Sequence, residues 1–223
     1  MVLLILSFAC ALLHWYSRPT NHQKIEYFAK PATMVFLIIW FIIQAHPDWS
    51  WLSLFVTLGL TFSLAGDIFL MLPSKWFLAG LIAFLLGHIA YICGLNLDGI
   101  GFYWQYLLFA AVILAVATPI FLRLRKALVA KQNERLVIPV MMYVIVISIM
   151  VFSASTNLFK PEWSNQAGLL VTVGATLFFI SDALLAWNRF VKPLPQGRLI
   201  SIVPYHLAQY FIAFGVVHQM GGL

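Results

Sequence analysis

Charged side chains are scarce in this chain of 223 residues. Only 9% of the residues are Asp, Glu, Lys or Arg, whereas 63% are hydrophobic, and the mean hydropathy is +0.95. Soluble domains carry about 25% charged residues. The composition therefore excludes a soluble protein and predicts an all-α polytopic membrane protein, with one transmembrane domain over residues 1–223.

Cysteine frameworks and contiguous basic stretches are lacking as well. The two cysteines, Cys10 and Cys93, lie in apolar segments and resemble neither a C-x-x-C motif nor a paired framework. The net charge is +6, but the basic residues are scattered, so we expect no nucleic-acid partner. The first apolar segment lacks a basic start and an A-x-A-like cleavage site, which indicates a retained helix rather than a signal peptide.

Hydropathy divides the chain into eight apolar segments, each near the ~20 residues that cross a hydrocarbon core. Their apolar residues are continuous rather than alternating, which excludes a transmembrane barrel. The predicted spans are 2–16, 31–45, 51–71, 76–95, 104–123, 136–155, 168–189 and 199–219.

Basic residues are distributed very unevenly among the connections. Twelve of the thirteen lie in the first, third, fifth and seventh connections, and only Lys160 lies in the others. The positive-inside rule therefore predicts that these four connections are cytoplasmic and that both termini are outside. The longest of them, about residues 123–135, is expected to be a basic extension of a helix.

Only seven residues are acidic, and two of them interrupt apolar runs. Five fall in the polar breaks: Glu26, Asp48, Asp98, Glu134 and Glu162. Asp67 and Asp182 lie inside apolar segments, where a charged side chain costs at least a few kcal/mol. Both should lie at similar depth in the cytoplasmic half of the membrane, so we expect them to be functional.

Further polar side chains are predicted to reach the same half of the membrane. His88 and Tyr91 share one face of the fourth segment, and Lys30, before Pro31, is expected to open the second. The eighth segment contributes Tyr205, His206 and Gln209. A single buried His or Tyr can instead serve only to tie helices together. The remaining histidines lie near segment ends and are expected to have no role: His14, His22, His46 and His218.

Two spacings suggest how the helices are arranged. Asp67 precedes His88 by 21 residues and Asp182 precedes His206 by 24, as in a 4+4 parallel internal repeat with its ligand site between the halves. Glycines seven residues apart, at 59 and 66 and at 80 and 87, indicate closely packed third and fourth helices.

Two carboxyl groups at one site can divide the work of acid catalysis. One stays protonated and donates its proton, while the other stays ionised and stabilises a cation or guides water. That chemistry suits an acid-labile ether, whose cleavage passes through an oxocarbenium ion. Two alternatives remain open: a metal-dependent hydrolase with Asp67, His88, Asp182 and His206 as ligands, and a proton-coupled carrier.

Five motifs together resemble the YhhN-type lysoplasmalogenase family of eight-helix membrane hydrolases. They are Lys30-Pro31, Gly66-Asp67 with Phe69-Leu70, Gly80 with Phe84 and Gly87-His88-Ile89-Ala90-Tyr91, Ser181-Asp182-Ala183-Leu184-Leu185-Ala186, and Tyr205-His206-Leu207-Ala208-Gln209. The resemblance covers nearly the whole chain. It implies hydrolysis of the vinyl ether bond of lysoplasmalogens, which gives a fatty aldehyde and a glycerophospho-headgroup.

The resemblance also implies that Asp67 and Asp182 occupy the two acidic motif positions of the family. We therefore predict Asp67 and Asp182 as catalytic. The predicted substrate-binding residues are Lys30, His88, Tyr91, Tyr205, His206 and Gln209. Neither a metal nor a cofactor is expected, and the expected partners are a lysophospholipid substrate and the lipids of a bacterial inner membrane.

Overall fold

The computed structural model describes residues 1–18, 22–46, 49–99 and 101–221, and within them the chain forms eight α-helices. Short connections join them, which confirms the all-α prediction. The helices are α1 (Val2–Ser17), α2 (Gln23–Ala45), α3 (Trp51–Met71), α4 (Phe77–Leu95), α5 (Gln105–Ala130), α6 (Val137–Thr156), α7 (Asn165–Ala186) and α8 (Gly197–Gln219). Short 3₁₀ turns precede α4 and α6, and a π-helical turn, Trp187–Val191, extends α7.

Seven of the eight helices are long and apolar enough to cross a membrane. The exception is α1, whose 16 residues span only about 24 Å against a hydrocarbon core of about 30 Å. Seven predicted crossings are thus confirmed in length and composition. The crossing by α1 remains a prediction.

The second helix begins earlier than the sequence indicated. It starts at Gln23 rather than at residue 31, so Pro31 lies inside it and Lys30 does not open it. Proline was expected at a helix start because it lacks an N–H group, but membrane helices tolerate it where neighbouring groups satisfy the freed backbone. The helical extension predicted over about residues 123–135 is correct as far as Ala130, where α5 ends.

Close packing of α3 against α4 follows from their glycines, as predicted. A Cβ atom at Gly59 would overlap the ring of Tyr91, and one at Gly66 would overlap the ring of Phe84. The backbones approach because no side chain separates them. α7 and α8 also pack closely, and theirs is the most extensive contact between two helices in the described structure.

Successive helices run in opposite directions, so the ends of α3 and α7 lie beside the starts of α2 and α4. The Tyr27 hydroxyl donates to the Met71 carbonyl oxygen (3.1 Å), and the rings of Phe77 and Phe190 pack edge to face with centroids 5.6 Å apart. This end of the bundle carries the basic connections. Asp67 and Asp182 lie near it, each about one turn before its helix ends.

Candidate functional site

Asp67 lies at the junction of α2, α3 and α8, where two side chains contact its carboxylate. The Lys30 ammonium is 3.0 Å from Oδ1 and also donates to the main-chain carbonyl of Asp67 (3.5 Å). The Tyr205 hydroxyl donates to Oδ2 (2.6 Å). The Asp67 side chain is 1% exposed and that of Lys30 is 6% exposed, so this is a buried, fully partnered ion pair.

Asp182 has different partners. The Tyr143 hydroxyl of α6 donates a short hydrogen bond to its Oδ2 atom. Nε2 of His88, on α4, is 3.9 Å from the same oxygen. Among the described residues no lysine or arginine lies within 4.0 Å of this carboxyl group, so it lacks the permanent counter-charge that Asp67 has.

Aromatic rings connect the two carboxyl sites. Phe178 packs against His88 (4.6 Å between centroids) on one side and against Tyr205 (5.3 Å) on the other. Phe84 contacts both Phe178 and Tyr205. The two aspartates thus belong to one continuous cluster of packed side chains.

Two adjoining clefts open beside this cluster. The first lies among α4, α5, α6 and α7, and its mostly apolar wall includes the Asp182 carboxyl group together with Tyr143 and Arg189. The second is polar and lies at the basic end of the bundle. Its charged and polar lining residues are Arg18, Glu26, Lys30, Ser74, Asn188, Arg189, Arg198 and Ser201. Four residues line both clefts: Leu70, Phe77, Leu185 and Arg189.

Two of the predicted binding residues form a separate buried pair. The Tyr91 hydroxyl donates to Oε1 of Gln209 (2.7 Å), which connects α4 with α8. Tyr91 packs beside Gly59, two turns from Gly66, so the pair lies deeper in the bundle than Asp67. Neither residue lines the two clefts.

His206 lies next to Tyr205 but faces α1. Its Nδ1 atom accepts a hydrogen bond from the indole of Trp15 (3.0 Å), and its ring centroid is 5.4 Å from that of His14. His14 is fully buried. His14 lies in the last turn of α1, near the segment end as expected, but it is packed against the core because α1 packs along α2 and α8.

Of the eight predicted site residues, Lys30 and Asp182 line the clefts. Asp67 contacts Lys30 and Tyr205, and His88 lies 3.9 Å from Asp182. The other three, Tyr91, Gln209 and His206, line neither cleft. The sequence analysis missed Tyr143 and the guanidinium groups of Arg18, Arg189 and Arg198. A tyrosine in an apolar helix carries no distinguishing signal, and the arginines were attributed wholly to topology.

Arg18 lies outside the spanning helices and is paired. Its guanidinium is 2.7 Å from the Glu26 carboxylate. Burial lowers the pKa of Arg18, while the Glu26 charge acts in the opposite direction and favours the charged form.

The four residues considered as metal ligands do not form one centre. The Asp67 carboxylate is already bonded to Lys30 and Tyr205, and the His206 ring accepts a hydrogen bond from Trp15. Within the described ranges no group of three or more His, Cys, Asp or Glu side chains is arranged to hold a metal ion.

The sequence of this chain matches a known family. The profile of the YhhN family matches residues 25–216. Lysoplasmalogenase TMEM86B of Rattus norvegicus is 25% identical over 192 residues, which cover 86% of this chain and 72% of the rat protein.

Two further relatives carry the same enzyme name. TMEM86B of Sus scrofa is 32% identical over 154 residues, which cover 69% of this chain and 59% of the pig protein. Lysoplasmalogenase TMEM86A of Homo sapiens is 28% identical over 178 residues, which cover 78% of this chain and 68% of the human protein. No solved structure matches the chain.

Proposed function

We propose that this chain, which belongs to the YhhN family, is a membrane enzyme that hydrolyses the vinyl ether bond of lysoplasmalogens. Its products would be a fatty aldehyde and a glycerophospho-headgroup compound. The names of its relatives support this substrate class. The observation that carries the proposal is the carboxyl group of Asp182 in the wall of an apolar cleft that continues into a polar, basic one.

The paired clefts suit a lysolipid, which has one apolar chain and one polar headgroup. The chain would occupy the cleft among α4, α5, α6 and α7, and the headgroup would occupy the basic cleft. Asp182, Leu185 and Arg189 follow one another along one face of the end of α7, over about 10 Å of helix. The ether, between chain and glycerol, would then lie near Asp182.

The two carboxyl groups differ in how their charge is neutralised, and this difference supports separate roles for them. A buried carboxylate needs a counter-charge, and Lys30 supplies one to Asp67. Asp182 has no such cation, so a bound proton is its alternative way to become neutral. Asp182 is therefore the acid, and Asp67 is the anion that stabilises positive charge and guides water.

The reaction then balances without a cofactor. The Asp182 carboxyl proton moves to the β-carbon of the vinyl ether and leaves an oxocarbenium ion. Water adds to the cationic carbon and returns a proton to the Asp182 carboxylate. The resulting hemiacetal collapses to the aldehyde and the free glycerol hydroxyl.

The side chains around the two carboxyl groups act on them rather than on the substrate. Tyr143 and His88 fix the Asp182 carboxyl group, and Tyr205 and Lys30 fix Asp67. The Tyr91–Gln209 hydrogen bond holds α4 against α8, and His206 holds α8 against α1. The site would open towards the cytoplasmic side of a bacterial inner membrane.

Purified protein should release aldehyde from a lysoplasmalogen but not from its saturated ether analogue, which forms no oxocarbenium ion on protonation of carbon. Asp182→Asn should lower kcat by roughly 10²- to 10⁴-fold because the amide has no acidic proton. Asp67→Asn should be similarly impaired, and the double variant scarcely worse, since residues that act as one unit are non-additive.

The matched control is Asp98→Asn, which makes the same change on an exposed connection. It should keep normal turnover. A folded Asp182→Asn or Asp67→Asn variant with near-normal aldehyde release would remove that residue from the mechanism.

A further inference from the structure

The apolar cleft beside Asp182 is too narrow for the lipid chain that the proposed reaction requires. Its free space is about 60 Å³. A water molecule needs about 10–15 Å³ of such space, so the cleft has room for only a few water-sized groups. A long alkenyl chain contains many more carbon groups of that size. One wall of the cleft must therefore move before such a chain can bind.

Helix α5 is the wall that the rest of the bundle holds least. It lines the cleft with Ile120 and Leu124, and it is the least buried of the seven long apolar helices. In the described structure it packs extensively against only one other α-helix, α6, whereas α4, α6 and α7 each pack against at least two. Its opposite side, which includes Leu122 and Val129, is exposed. This helix therefore separates the cleft from the surrounding lipid.

The two halves of α5 are fixed differently. In the first half, the Tyr106 hydroxyl donates to the main-chain carbonyl of Thr156 (3.2 Å). The Tyr106 ring also packs edge to face against Phe159, with centroids 6.1 Å apart. After Pro119, in contrast, no side-chain hydrogen bond or ion pair joins α5 to another element within the described ranges. Only the first half thus has a polar anchor.

The second half of α5 is held by apolar contacts. Leu124 and Leu128 belong to a small buried cluster, separate from the main core, with Val140 of α6 and Phe190 of the π-helical turn. Phe190 also lines the cleft. Apolar contacts within a membrane are replaced by lipid contacts at little cost, because lipid chains are as apolar as leucine. The second half of α5 can therefore leave the π-helical turn more easily than the first half can leave its anchor.

Pro119 lies at the boundary between the two halves, inside the helix. Proline has no N–H group, so the Ala115 carbonyl lacks its usual helical partner and bending there breaks no hydrogen bond at that position. The cleft-lining residues Ile120 and Leu124 both follow Pro119. A bend at Pro119 would therefore move the wall of the cleft while Tyr106 stays in place.

We propose that residues 120–130 of α5 form a lateral gate, which swings about Pro119 away from the π-helical turn and opens the apolar cleft to the bilayer. The inference rests on the proposed hydrolysis and adds the route by which a long-chain substrate reaches Asp182. Entry from the side keeps the lipid chain out of water throughout. A substrate with a short alkenyl group fits the closed cleft and does not need the gate.

Linking the gate shut tests the proposal directly. Leu128→Cys with Val191→Cys places one thiol on α5 and one on the π-helical turn, and neither residue lines the cleft. The background Cys10→Ala/Cys93→Ala removes the native thiols. After reaction with a short cleavable cross-linker, the protein should lose nearly all turnover of a long-chain lysoplasmalogen and keep that of a short-chain analogue. Cleavage of the linker should restore long-chain turnover.

The matched control links the anchored half of α5. Phe109 and Phe159 pack together with ring centroids 5.9 Å apart. Phe109→Cys with Phe159→Cys, joined by the same linker in the same background, should leave the turnover of both substrates unchanged, because this half does not move.

The hinge is tested without a cross-link. Pro119→Ala supplies the missing N–H group, so bending must now break a hydrogen bond. The ratio of kcat/KM for the long-chain substrate to kcat/KM for the short-chain analogue should fall roughly 2- to 10-fold, the range for one backbone hydrogen bond. Pro161→Ala makes the same change in an exposed turn outside the helices and should leave this ratio unchanged.

Long-chain turnover that survives the link between α5 and the π-helical turn would overturn the gate. So would an equal loss for both substrates, or an unchanged ratio in Pro119→Ala. Aldehyde release from the short-chain analogue by the unlinked protein keeps the proposed reaction intact in each of these cases. No aldehyde from either substrate would refute the reaction itself.

Discussion

At the scale of single residues, the ion pair between Lys30 and Asp67 sets the charge balance of the candidate site. Both side chains are withdrawn from solvent, and the ammonium contacts a carboxylate oxygen at 3.0 Å. Lys30 was predicted to bind substrate, and it lines the basic cleft. Its close partner, however, is the carboxylate, so we expect its main effect on Asp67.

Removing one member of this pair should be much worse than removing both. Lys30→Met leaves a buried carboxylate without counter-charge and should destabilise the protein by about 3–5 kcal/mol. The double variant Lys30→Met/Asp67→Asn should recover most of that stability, although not activity. Denaturant unfolding of the detergent-solubilised protein measures the difference.

Lys75→Met is the matched control, because Lys75 is exposed on the turn before α4 and should tolerate the change. If the Lys30 variant and the double variant are equally unstable, the methionine itself disturbs the packing and the ion pair is not the cause.

At the scale of helices, the site lies between two closely packed pairs, α3 with α4 and α7 with α8. Asp67 of the first pair is contacted by Tyr205 of the second, and Asp182 of the second is approached by His88 of the first. The contacts of each carboxyl group therefore depend on the distance between the two helix pairs. The predicted 4+4 internal repeat remains a prediction, but the position of the site between two such pairs agrees with it.

Adding one methyl group between α7 and α8 should disturb the packing of both helices. A Cβ atom at Gly174 would lie 2.9 Å from the Ala208 carbonyl oxygen, a backbone atom that cannot rotate away. Gly174→Ala should therefore cost about 1–3 kcal/mol through overpacking, although alanine is the better helix former. Thermal unfolding and aldehyde release should both decline.

The comparison is Ala115→Val, which adds apolar atoms on an exposed face of α5. It should leave the melting temperature within a degree or so of the unaltered protein, as is usual for surface changes. A Gly174→Ala protein that is more stable than its parent would show that the two helices can separate without strain.

At the scale of the whole molecule, the basic residues predict the orientation in the membrane. A reporter that is active only outside the cytoplasm should be active when fused after Leu223, which lies outside the described residues, and silent when inserted near Lys131. The opposite pattern would place the clefts on the outer side.

A third fusion at the N-terminus distinguishes the two possibilities for α1. If α1 crosses the membrane despite its 16 residues, that reporter is active, and if only seven helices cross, it is silent. Neither result alters the assignments of the other two fusions, because four helices separate the Lys131 fusion from α1 and seven separate the C-terminal fusion from it.

The sequence by itself determined the class of protein, the number of helices and which two acidic residues lie inside apolar segments. The positions of the helices and of the two intramembrane acids follow from the bilayer, which requires about 20 apolar residues per crossing and makes each intramembrane charge costly; a role for these acids in catalysis stays a prediction. Helix limits were less certain: α2 extends back through Pro31, since helix continuation there depends on neighbouring helices rather than on local preference.

Only the tertiary structure decided which side chain serves each carboxyl group. Hydropathy gives the depth of Asp67 and Asp182 but not the rotation of their helices, and rotation determines that one meets Lys30 and the other Tyr143. The same holds for His14, which is buried because of the way α1 packs. Contacts between residues 37 or more positions apart, as for Lys30 and Asp67, arise from helix packing, and a single sequence contains no periodic signal for them.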